Sequence, residues 1–181
     1  IWHKGIFIMA TNLEFIKSVS GTSVGTLDVT DIFSANYDVY QITIAKMEQT
    51  NNGWNEMRFL DSGGTSITAS EYDIATLELK SYASFTEYRA TNANRFETIN
   101  YSGTGSAVAG ALTMYIYNPY DSSSYTFASW QSNGFRTGLG AIGGKVIGVH
   151  KSAEQLSGVH FISGGSGSVF TNLDVSVYGV K

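Results

Sequence analysis

Apolar and polar residues alternate along most of this chain, in short runs broken by glycine-rich turns. Tyr37–Ala45 (YDVYQITIA) places Tyr40, Ile42 and Ile44 on one face, the period of a half-buried strand. In Trp54–Leu60, Met57 and Phe59 oppose Trp54, Glu56, Arg58 and Leu60. In Ala107–Asn118, Leu112, Met114 and Ile116 share one face, with Tyr115 and Tyr117 on the other, and Pro119 ends the run. The same pattern predicts strands over Leu13–Val19, Thr26–Phe33, Thr76–Tyr82, Phe85–Arg89, Arg95–Tyr101, Tyr125–Trp130, Lys145–His150, Val159–Ile162 and Leu173–Val180. Turn signals such as Asn52-Gly53, Ser62-Gly63-Gly64, Gly143-Gly144 and Ser163-Gly164-Gly165 separate them. About ten short strands at this spacing predict an all-β fold: an antiparallel β-sandwich, jelly-roll-like. The helical candidates, Ser70–Leu79 and Ser152–Leu156, are short and lack a sustained helical period.

Composition narrows the function classes. The chain has 181 residues and no internal shift of composition, which predicts one domain over residues 9–181. Residues 1–8 are a doubtful extension. Met9-Ala10 reads as a natural start, and codons for Lys4-Gly5 can spell a purine-rich ribosome-binding sequence; the alternative is an apolar arm that docks on a neighbour. Charged residues make up 14% of the chain against 43% hydrophobic, so Ser, Thr, Asn and Gly carry its solubility. The net charge is −4 and the cations are scattered, which argues against a nucleic-acid surface. With no cysteine there are no disulfides, thiolate-zinc sites or thiol nucleophiles, and no apolar run has the length of a membrane-spanning helix.

Catalytic constellations are thin. The histidines are His3, His150 and His160, and no nucleophile elbow accompanies them. A His150/His160 pair on adjacent strands could bind a metal, but strand histidines more often serve structure, so no metal is assigned. Asp61, Glu71 and Asp73 could supply paired carboxylates, and Asp28, Asp31 and Asp38 could offer oxygens to calcium; both groups read more simply as solvated acids. Gly138–Gly144 (GLGAIGG) reads as hairpin chemistry, not as a phosphate cradle. The expectation is no catalytic residue and no cofactor. Trp54, Tyr117, Tyr120, Tyr125 and Trp130 are candidate glycan-stacking or interface aromatics, because a π-face matches the apolar face of a sugar ring.

Several blocks carry a resemblance: Tyr37–Ile44 (YDVYQITI), Arg58–Gly64 (RFLDSGG) with Tyr72-Asp73, Met114–Pro119 (MYIYNP) with Ser122–Phe127, Ser157–Phe161 (SGVHF) and Asp174–Val180 (DVSVYGV). In this order the chain after Met9 resembles small structural proteins of tailed bacteriophages, especially those of aquatic bacteria. The resemblance implies a virion component, either a capsid decoration or a tail or fibre module, often a homotrimer, in contact with other virion proteins. Scarce charge fits large buried interfaces, whose centres are depleted of Lys, Glu and Asp. The expected function is a non-enzymatic virion structural protein acting through protein–protein contacts. The alternative is a carbohydrate-binding or host-receptor-binding module on host surface glycans. A sandwich glycosidase rests only on Asp61, Glu71 and Asp73.

Overall fold

The computed structural model describes residues 12–181; the expectations for residues 1–8 and Met9 lie outside them. Among the described residues there are twelve strands: β1 (Leu13–Gly21), β2 (Thr26–Val29), β3 (Val39–Gln49), β4 (Gly53–Asp61), β5 (Tyr72–Lys80), β6 (Thr86–Ala93), β7 (Phe96–Ser102), β8 (Gly110–Tyr117), β9 (Thr126–Arg136), β10 (Gly140–His150), β11 (Leu156–Ile162) and β12 (Phe170–Val180). They form two antiparallel sheets. The larger has eight strands in the order β1-β12-β3-β8-β9-β10-β5-β6, and the smaller has four, β2-β11-β4-β7. Only β5–β6 and β8–β9–β10 are consecutive hairpins; every other connection crosses between sheets, as in jelly-roll-like sandwiches.

Period-two burial builds the core. Tyr40, Ile42 and Ile44 of β3, Leu112, Met114 and Ile116 of β8, and Ala128 and Trp130 of β9 face inward from the larger sheet. Met57 and Phe59 of β4, Phe96 and Ile99 of β7, and Val159 and Phe161 of β11 meet them from the smaller one. An aromatic cluster fills one end: Phe59 stacks with Tyr72 at 6.3 Å, Phe96 stands edge-on to Tyr72 at 5.0 Å, and Trp130 lies 5.6 Å from Phe96. Such contacts add to the area each ring buries.

Some boundaries differ from the sequence pattern, for physical reasons. Ser70–Leu79 is not helical. From Tyr72 onward it is β5, with Tyr72, Ile74 and Thr76 buried alternately and neighbours β10 and β6 on its two sides. Ser152–Leu156 forms no helix either; it leads into β11. β10 begins at Gly140, not Lys145, because Gly143 and Gly144 are strand residues pairing with Asn133 and Ser132. A Cβ on Gly143 would lie 2.3 Å from the Ser132 carbonyl oxygen, so the close approach, not a turn, calls for glycine.

Candidate binding face

The outward side of the larger sheet is a continuous face. Its register aligns Thr43, Thr113, Gln131, Lys145, Leu77 and Glu87 in one row across six strands. The next row reads Gln41, Tyr115, Ser129, Ile147, Ala75 and Arg89. A third holds Tyr117, Phe127, Val149 and Asp73. Small residues in the middle and longer ones around them leave a groove of about 1210 Å³, bordered by Tyr115, Gln131, Lys145, Glu87 and Arg89. A second hollow of about 610 Å³ continues it past Tyr117 and Phe127. Ile147 is 66% exposed, Phe127 51% and Leu77 41%, so large apolar side chains stand in solvent on a face that an antiparallel sandwich usually keeps polar. Gln41 Nε2 donates to the Tyr115 hydroxyl at 2.9 Å, which holds that ring across the groove.

The candidate aromatics do not converge. Trp130 is buried in the core against Phe96 and offers no face for stacking. Trp54 is half-buried on β4, edge-on to Tyr101 at 5.4 Å. Tyr117 is half-buried on the outer face of the larger sheet, its hydroxyl 3.2 Å from Ser129 Oγ. Tyr120 and Tyr125 are exposed in the loop after β8.

The titratable candidates also sort differently from their spacing. His150 ends β10 in the larger sheet and His160 lies on β11 in the smaller, so they are not on adjacent strands. His160 Nδ1 meets Asp28 Oδ1 at 2.5 Å across the β11–β2 pair. Asp61 accepts backbone N–H bonds from Gly63 and Thr65, capping its own turn. Asp73 pairs with Lys151 at 2.8 Å and accepts the Asn92 N–H; the Lys151 bond holds its carboxyl below the ordinary value. Neither Asp61, Glu71 and Asp73 nor Asp28, Asp31 and Asp38 come together as a ligand group. Among the described residues the group that does is Glu71, His150 and Glu154. The Gly138 turn returns β9 into β10 with a Leu139 N–H to Arg136 carbonyl bond, and no helix follows it.

His150 is fully buried, beside Tyr72 at 4.9 Å and Phe59 at 5.7 Å. Its Nε2 lies 3.3 Å from Glu71 Oε2 and 3.8 Å from Glu154 Oε1, yet neither ring nitrogen has an aligned hydrogen-bond partner. Burial pulls its pKa below the ordinary value, and the two carboxylates oppose this less strongly. The groove and this cluster were both missed at the level of sequence, because each is assembled from segments far apart in the chain. No family profile, curated protein or solved structure matches the chain.

Proposed function

We propose that the chain is a non-enzymatic virion structural protein, a capsid decoration or a tail or fibre module, that works as a homotrimer through protein–protein contacts. The observation that carries this reading is the outer face of the larger sheet, where Leu77 of β5, Ile147 of β10 and Phe127 of β9 are exposed on three adjacent strands, one in each of the three rows. Contiguous exposed apolar surface of this kind marks an interaction site, and symmetric assembly buries it. The resemblance of the strand blocks to phage structural proteins supplies the context. The engaged state of Asp61 and Asp73 supports the non-enzymatic reading, since both already cap or pair locally. Light scattering on the purified chain tests the proposal: a trimer is expected for the wild type and a folded monomer for Ile147→Asp. A wild-type monomer that is also missing from purified particles overturns it.

A second reading has its own observation. The groove presents Tyr115, Thr113, Gln131, Asn133 and Lys145, a ring with amide, hydroxyl and ammonium groups, suited to host surface glycans. On a glycan array the Tyr115→Ala/Gln131→Ala variant should lose the signal. No wild-type binding to host envelope sugars removes this reading.

A further inference from the structure

We propose that Glu71, His150 and Glu154 form a binding site for a divalent first-row metal ion of the zinc type. The three ligand atoms lie within 4.8 Å of one another, with Nε2 at 3.3 Å and 3.8 Å from the two carboxylate oxygens. A tetrahedral ion about 2.1 Å from each ligand needs edges of about 3.4 Å, which the Nε2–Glu71 edge already meets, and rotation of the two part-exposed glutamate side chains closes the rest. His150 supplies the observation that points to a ligand. Its side chain is wholly buried, its nitrogens lack hydrogen-bond partners, and Nε2 lies on the side of the ring next to both carboxylates, 3.3 Å and 3.8 Å away. Charge points the same way: among the described residues neither Glu71 nor Glu154 meets a Lys or Arg, since Lys151 is taken by Asp73.

The backbone holds the group ready. His150 pairs with Tyr72, and the Lys151 N–H donates to the Glu71 carbonyl at 2.8 Å, which fixes the approach of β5 and β10. Glu154 sits in the segment 151–155, outside any strand, so an ion would fasten that segment to the end of the sandwich. Both glutamate side chains are about one-third exposed, at 36% and 34%, so an ion can enter from solvent and keep a water in its remaining position.

The test is calorimetric titration of Zn²⁺ into the chelator-treated full chain, with Co²⁺ absorption as a spectroscopic check. One saturable ion per chain is expected, together with a rise in melting temperature, because the ion binds the folded state. Glu71→Gln/Glu154→Gln, chosen over core His150, should weaken binding by at least about 10-fold and abolish the thermal shift. His3→Gln/His160→Gln should leave both unchanged. Absence of saturable binding by the folded wild type overturns the site. So does binding that survives the glutamate substitutions or disappears with the histidine ones.

Discussion

The two ends of the sandwich are built on opposite plans. At one end the loops 22–25, 50–52, 81–85, 103–109, 137–139 and 163–169 contain no charged residue. At the other, the connections carry Asp31, Asp38, Glu71, Asp121 and Glu154 against Lys151 and Arg95. Each end also buries polar side chains, and here the contrast sharpens. At the uncharged end Gln49 donates to the Gly53 and Ser102 carbonyls, while its Oε1 accepts from the Gly164 N–H and the Ser168 hydroxyl. Asn55 donates to Ser102 Oγ at 2.7 Å and accepts from the Gly164 N–H. Gln49 and Asn55 are satisfied from within the chain, though Asn100 Oδ1 beside them is not, and they tie the end of β3 to β4, β7 and the β11–β12 loop. His150 at the charged end has no such closure. A buried polar group with all its partners is structural; one without them is where a ligand can add energy.

The largest effect that would sharpen this contrast is expected at Gly164. A Cβ there would lie 1.7 Å from the Trp54 carbonyl oxygen, so Gly164→Ala should cost about 3 kcal/mol by denaturant titration. An unchanged midpoint would show that the loop over the amide network yields easily. Next, Gln49→Leu strands several buried backbone groups and should cost about 2 kcal/mol. His150→Phe, measured with chelator present, keeps a ring in the aromatic cluster and removes unpartnered nitrogens, so stability should change by less than about 1 kcal/mol. A loss as large as that of Gln49→Leu would break the comparison. The smallest effect belongs to the exposed pair at the charged end: Asp73→Asn should cost about 0.5 kcal/mol at neutral pH. Because the folded Asp73 pKa lies below the ordinary 3.8, its contribution is present above that value and fades as pH falls through the lower, folded one. Melting curves of wild type and variant should therefore converge in acid.

Strands with one long alternation were legible. Tyr40, Ile42 and Ile44 share the buried face their spacing predicts, and Leu112, Met114 and Ile116 do the same. Legibility failed where the partner strand decided the outcome. β5 carries acidic residues between apolar ones, a pattern that also suits a helix turn, and pairing on both sides makes it a strand. Gly143 and Gly144 have turn chemistry and strand geometry. At the sites the right residues were visible beside the wrong partners. Glu71 grouped by sequence with Asp61 and Asp73, and His150 with His160. Only the β5–β10 register, which sets His150 against Tyr72, brings Glu71 to the imidazole. The groove left no local trace, since Thr43, Thr113 and Gln131 are ordinary outward residues until three strands align them.

The position of β12 has a consequence for the order in which the fold forms. It lies between β1 and β3, so those two strands join only through it. Ser18 of β1 meets the Val175 carbonyl of β12 at a sequence separation of 157. During synthesis β1 must wait as an unpaired edge until β12 leaves the ribosome, and closing so long a loop makes this step slow. The β-bulge between Phe15 and Lys17 forms only once β12 has paired, and it leaves the outer edge of the finished β1 kinked, which resists pairing with another chain.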